Sequence, residues 1–181
     1  TLVFQDKDEA PATLSDAEKA QFYLSTRQYE RAQKLMLKTL KEERAGYAKM
    51  QLLRRWLVVE ARTSKDPKST RKTLLELTPG LNLPESDTEE VRGWISALEK
   101  WSSEIKAAQT LESAEQLIRG AHAQDPFGRR VDPIALLRGT SILHAILAKD
   151  TLTDKERARS LYLLGVGYDQ LAPYFIDELP E

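Results

Sequence analysis

The segment STRQYERAQKLMLKTL, residues 25–40, has the apolar spacing of an amphipathic α-helix. Tyr29, Met36 and Leu40 recur on one side of a helical wheel, with the small Ala32 beside them. The other side is basic, because Arg31, Lys34, Lys38 and Lys41 fall within about a quarter turn of the helical wheel. Together with Arg27 just before the helix, these residues define the basic surface: Arg27, Arg31, Lys34, Lys38 and Lys41. The pattern therefore predicts a helix with one packed side and one solvated, strongly basic side.

Helix signals also dominate the rest of the chain. Ser15 with Glu18, and Thr153 with Glu156, have the spacing of capping boxes, and Pro67 is well placed to begin a helix. Segments 78–87 (TPGLNLPESD) and 124–133 (QDPFGRRVDP) interrupt the pattern. Helices are predicted at roughly 15–26, 29–44, 47–62, 67–77, 86–107, 111–123, 134–149 and 154–171. No period-two alternation indicates a strand, so the sequence predicts an all-α chain of antiparallel helical hairpins.

Composition limits the classes of protein to which the chain can belong. It has 181 residues, of which 41% are hydrophobic and 30% charged, a globular profile large enough for a real core. We expect a flexible lead-in at 1–14 and a single all-helical domain at 15–181, with a possible sub-boundary near 78–87. No apolar run approaches the roughly 18 residues of a membrane span. The absence of cysteine excludes disulfides and thiolate chemistry.

The first residues also bear on localisation. The chain starts at Thr1, and the polar, proline-interrupted lead-in resembles a mature N-terminus after signal-peptide cleavage. This favours a periplasmic or membrane-anchored envelope protein over a cytoplasmic one, with an arbitrary chain boundary as the alternative.

Charge is distributed unevenly along the sequence. The formal net charge is −1, which argues against a dedicated nucleic-acid binder. From residue 27 to residue 72, however, 14 Lys and Arg stand against 5 Asp and Glu, a local charge of +9. Such a segment can attract an anionic partner, or it can hold the acidic parts of the same fold.

Residues 15–44 resemble a tetratricopeptide repeat (TPR). Ala20 and Ala32 match its small positions, Tyr23 and Tyr29 its aromatic positions, and Met36 the large apolar position that follows. The sequence departs from the repeat at Thr39 and Arg44, which replace a small residue and the closing proline. A second, partial match covers 158–172, on the residues Leu161, Leu164, Gly165 and Tyr168. The resemblance implies a TPR-like array of helical hairpins, and an irregular α-helical bundle is the alternative.

The resemblance also implies a function. Proteins of this family are non-enzymatic scaffolds that bind another protein or peptide along a concave face lined by first helices. For this chain we expect the setting to be a bacterial envelope or secretion assembly. The matching positions in this chain are Ala17, Gln21, Leu24, Arg159, Tyr162, Val166 and Asp169. The basic surface defined above is a second candidate for partner binding. The alternative function is an anion-binding helical domain that uses this surface for nucleic acid or acidic lipid headgroups.

Catalytic and metal motifs are weak. The only histidines, His122 and His144, lie on separate predicted helices and lack the spacing of a metal site, so no metal or other cofactor is predicted. The glycines of GVG at 165–167 fall inside a helical pattern, where close helix packing explains them better than a phosphate loop, and Gly139 is explained in the same way. Arg129 and Arg130 lie on a predicted turn, where they can grip an anion or simply remain solvated.

Overall fold

Eight α-helices make up most of the residues that the structure, a computed structural model, describes: 9–42, 46–64, 66–104, 109–121, 131–149 and 151–174. They are α1 (Asp16–Ser25), α2 (Tyr29–Glu42), α3 (Tyr47–Ser64), α4 (Pro67–Leu77), α5 (Glu85–Glu104), α6 (Leu111–Gly120), α7 (Pro133–Leu147) and α8 (Asp154–Leu171). Short 3₁₀ turns follow α4 at Thr78–Leu81 and α8 at Ala172–Tyr174. The described ranges contain no strand, so the all-α prediction is confirmed.

Local sequence signals set the helix starts. Glu18 N–H donates to Ser15 Oγ at 3.3 Å, and Ser15 N–H donates back to Glu18 Oε2 at 2.8 Å, which completes the predicted capping box. Thr153 and Glu156 form the second predicted box in the same way. Pro67 occupies the first turn of α4, as predicted.

Some helix ends differ from the sequence prediction. The helix predicted at 111–123 ends earlier, at Gly120, and Ala121 is a turn residue. The helix predicted at 134–149 is α7, which Asp132 caps by accepting from Ile134 N–H at 2.9 Å and which ends at Leu147. Residues 43–44, 105–107 and 122–123 of the predicted helices lie outside the described residues.

The helices enclose two clusters of buried apolar side chains. In the first half each helix packs against the next, from α1 to α5. The first cluster draws on these five helices and includes Met36, Trp56 and Leu98, all fully buried. The second cluster lies among α6, α7 and α8, where α6 contacts both of the helices that follow. Helix α3 joins the two halves because it also packs against α7 and contributes Val58 to the second cluster.

The segment 78–87 does not separate two cores. Leu81, in its 3₁₀ turn, is fully buried in the first cluster together with Leu74 before it and Val91 after it. The buried Lys49 side chain, from α3, also reaches this turn and donates from Nζ to Leu81 O at 2.7 Å. The predicted interruption is therefore a largely exposed bend in the chain that contributes Leu81 to the first core.

Two glycines allow the helices of the second half to pack closely. A Cβ built at Gly139 in α7 would lie 2.8 Å from Ile118 Cγ1 and 3.2 Å from Ala114 O, both in α6. A Cβ built at Gly167 in α8 would lie 2.7 Å from Thr140 Cγ2 in α7. The packing interpretation holds for these two glycines but is wrong for Gly165, which is exposed and has nothing within 4 Å of an added Cβ.

Candidate interaction surfaces

The turn between α1 and α2 holds Arg27 in an unusual backbone conformation. Gln28 N–H donates to Tyr23 O at 2.7 Å and Arg27 N–H to Leu24 O at 3.1 Å, the two hydrogen bonds of a Schellman motif. Arg27 therefore occupies the left-handed position of the motif, with φ +60°. Glycine is the usual residue there, because an L side chain in this region costs on the order of 1 kcal/mol.

This turn forms one wall of an open cleft of about 1070 Å³. The cleft is lined by Arg27, Gln28, Tyr29, Glu30 and Arg31 at the start of α2 and by Arg62 and Thr63 near the end of α3. Among the described residues that line this cleft, three carry a guanidinium group and one carries a carboxylate. The structure brings together two residues of the predicted basic surface, Arg27 and Arg31, and adds Arg62, which is distant in sequence.

Two of the cleft arginines lie over tyrosine rings. The Arg31 guanidinium carbon is 5.5 Å from the ring centroid of Tyr23, and that of Arg62 is 5.3 Å from the centroid of Tyr168. Both distances lie within the range of cation–π contacts. Tyr168 is fixed in turn, because its hydroxyl lies 2.6 Å from His144 Nε2.

The other residues of the predicted basic surface lie outside this cleft. Lys38 Nζ donates to Asp16 Oδ2 in α1 at 2.6 Å. This hydrogen bond raises the pKa of Lys38 and lowers the pKa of Asp16. Lys34 is exposed, whereas Lys41 lines a separate groove of about 350 Å³ between α2 and α4. The stripe seen on the helical wheel is thus divided among four environments.

Part of the remaining positive charge between residues 27 and 72 faces acidic residues outside this segment. Arg54 donates to both carboxylate oxygens of Glu90 in α5, from Nε at 2.9 Å and from NH2 at 2.7 Å, and both side chains are largely buried. Arg71 of α4 forms an ion pair with Glu99, which also lies in α5, with NH2 and Oε2 3.2 Å apart. Ion pairs between the basic segment 27–72 and acidic residues of α5 therefore explain part of the uneven charge distribution along the sequence.

The predicted concave-face residues fall into two separate groups. In α1, Ala17 is exposed, Gln21 is half-buried, and Leu24 is buried in the first cluster with 6% exposure. In α8, Tyr162 is 67% exposed next to the exposed Leu161, and Asp169 is exposed on the same side. Helix α1 packs mainly on α2, whereas α8 packs on α6 and α7, so the described structure does not bring the two groups together.

The remaining α8 residues of this predicted face lie next to α6. Arg159 pairs with Glu115, and this hydrogen bond, supported by Arg119, lowers the pKa of Glu115. Tyr162 and Val166 line a small pocket of about 130 Å³ together with Arg119. This part of α8 therefore presents an aromatic side chain beside an ion-paired arginine cluster.

The described residues contain no group of three or more His, Asp or Glu side chains arranged to hold a metal ion. His144 is exposed and bonded to Tyr168, whereas His122, Arg129 and Arg130 lie outside the described residues. None of the helices in the described ranges is long and apolar enough to cross a bilayer. No protein-family model, curated protein or solved structure matches the chain, so its function is inferred from its own residues.

Proposed function

We propose that this protein is a non-enzymatic scaffold, built on a TPR-like array of helical hairpins, that binds another protein. The observation that carries this proposal is the exposure of α8. Tyr162, a predicted partner-contacting residue, is 67% exposed, and the neighbouring Leu161 is 55% exposed. Adjacent large apolar side chains on one exposed helix are typical of a surface that another protein covers.

The packing of the first half supports the TPR-like part of the proposal. Ala20 and Ala32, the small residues of the repeat-like pattern, are buried where α1 meets α2. Tyr23 and Tyr29 pack beside them, half-buried. Each helix from α1 to α5 then packs on the next, as in a solenoid. The repeat-like character is assigned to α1–α5, because α6 contacts both α7 and α8.

Site-specific photo-crosslinking in the native host tests the proposal. A benzophenone amino acid replaces Tyr162 or Asp169 in α8, and a matched control variant carries it at Ser96, an exposed position of α5. We expect discrete heavier adducts from the two α8 positions and none from position 96. Adducts that are absent from α8, or equal at all three positions, would refute a binding role for this face.

A further inference from the structure

We infer that two copies of this chain associate through α8, with the two helices side by side and antiparallel. The inference rests on the proposed scaffold function and specifies it, because the protein that covers the exposed surface of α8 is then a second copy of the same chain. The residues concerned form one exposed stripe of the helix, called the α8 stripe below: Lys155, Ala158, Tyr162, Gly165 and Asp169.

The first observation is the spacing of the α8 stripe. Its residues follow one another at intervals of three and four, which places them along one side of the helix in the pattern of a coiled-coil seam. All of them are exposed, so the stripe is open along its full length of about 21 Å. A second helix that lies alongside α8 can therefore contact every position of the stripe.

The second observation concerns the centre of the stripe. Tyr162 is 67% exposed, and the adjacent Leu161 is 55% exposed. Ala158 and Gly165 lie about one turn before and after Tyr162, and a Cβ built at Gly165 would have nothing within 4 Å. No contact within the described part of the chain therefore requires a glycine at position 165, although glycine destabilises a helix relative to alanine. Small residues on both sides of an exposed aromatic ring allow a second helix to approach closely.

The third observation is the charge at the two ends of the stripe. Lys155 lies seven residues before Tyr162, and Asp169 lies seven residues after it. Lys155 shares the lining of an open cleft of about 400 Å³ with Glu112 and Glu156, but it forms an ion pair with neither of them. Asp169 likewise forms no ion pair with another described residue. The stripe thus ends in one positive and one negative side chain, placed symmetrically about Tyr162.

This symmetry identifies a second copy as the occupant of the stripe. A dimer with a twofold axis requires a surface that is complementary to itself. When two α8 helices lie antiparallel with their Tyr162 side chains at the centre, Lys155 of each copy lies level with Asp169 of the other, and the same attractive contact occurs twice. A parallel arrangement would place like charges side by side. Nucleic acids and anionic lipids gain little from a stripe that carries an acid as well as a base.

Sedimentation velocity of the full chain over a dilution series tests the inference. One helix from each copy forms a small interface, below about 1,200 Å², so we expect a reversible dimer that dissociates on dilution. Lys155→Glu and Asp169→Lys each replace two attractive contacts by two repulsive ones, and each should weaken dimerisation by about tenfold or more. The double variant Lys155→Glu/Asp169→Lys exchanges the charges and restores the attraction, so its dimer affinity should return to near that of the wild-type chain.

Two controls separate the loss of the dimer from the loss of the fold and from general charge effects. A glutamate near the N-terminus of α8 and a lysine near its C-terminus both interact favourably with the helix dipole. Neither single variant should therefore lower the Tm measured at low concentration, where the monomer dominates. Lys34→Glu reverses an exposed charge on α2, outside the α8 stripe, and should leave dimer affinity unchanged.

Three results would overturn the inference. These are a species with the mass of one chain at every concentration up to about 1 mM, a dimer that the single charge reversals do not weaken, and a double variant that dimerises as weakly as the single variants. The α8 crosslinks distinguish the two proposals. A monomeric chain whose α8 positions crosslink to a different protein leaves the scaffold standing and removes the α8 dimer. A purified dimer that recovers on charge exchange but gives no α8 adducts in the host supports the α8 pairing and removes the scaffold function.

Discussion

Replacing Gly139 by alanine tests the close approach of α6 and α7. The new methyl group would lie 2.8 Å from Ile118 Cγ1 and 3.2 Å from the carbonyl oxygen of Ala114. The first distance is shorter than real Cβ contacts allow, and the second involves backbone, which cannot rotate away. The two helices must therefore move apart for Gly139→Ala to be accommodated.

Two opposing effects determine the size of the change. Overpacking a filled core costs about 1–3 kcal/mol, and a backbone contact places this site near the upper end. The higher helix propensity of alanine returns about 1 kcal/mol. We therefore expect Gly139→Ala to lower the free energy of unfolding by about 2 kcal/mol, and Tm by about 4–8 °C for a chain of this size.

Urea denaturation and thermal melting followed by circular dichroism measure this effect. Gly165→Ala is the matched control, because Gly165 is also helical but has nothing within 4 Å of an added Cβ. This control should gain up to about 1 kcal/mol from helix propensity. If Gly139→Ala proved as stable as the Gly165→Ala control, the close packing described for α6 and α7 would be incorrect.

Three further substitutions follow from ion pairs, burial and capping. Arg54→Met should cost about 2 kcal/mol in urea denaturation because it leaves Glu90 largely buried without its bidentate partner, and adding Glu90→Gln should recover most of the loss. Burial raises the pKa of Glu60, so the wild-type chain loses stability as pH rises from the ordinary value of 4.5 through the raised one. The variant Glu60→Gln should be more stable than wild type at pH 7 and equal to it at pH 4, and an equal difference at both pH values would contradict this. Thr153→Ala should cost about 1 kcal/mol through loss of the α8 capping box, whereas an unchanged urea midpoint would argue against the cap.

Helix positions could be predicted from the sequence because their signals are local. The capping boxes at Ser15 and Thr153 and the proline at residue 67 act within one turn of the chain, and each starts a helix where expected. The cap of α6 was missed because its box pairs Thr110 with Ser113, and serine is a weaker signal than glutamate at that position.

The arginine-lined cleft could not be read from the sequence to the same extent. Arg27 and Arg31 were identified from the helical wheel, but Arg62 joins them only because α3 packs against α2. The wheel likewise could not show that Lys38 pairs with Asp16. Leu24 lies at a repeat position that implies partner contact, yet tertiary packing buries it. Contacts between distant segments depend on the three-dimensional arrangement, which periodicity does not encode.

The position of α3 in both cores has a consequence for folding on the ribosome. Val58 and Ala61 belong to the second cluster, whose other buried side chains begin at residue 114, so the N-terminal half emerges from the exit tunnel with this apolar side largely uncovered. At about 5–20 residues per second, it stays uncovered for seconds. A nascent chain stalled after α5 is therefore expected to bind chaperones. We expect this binding to be lost once α7 has been synthesised and packs on α3.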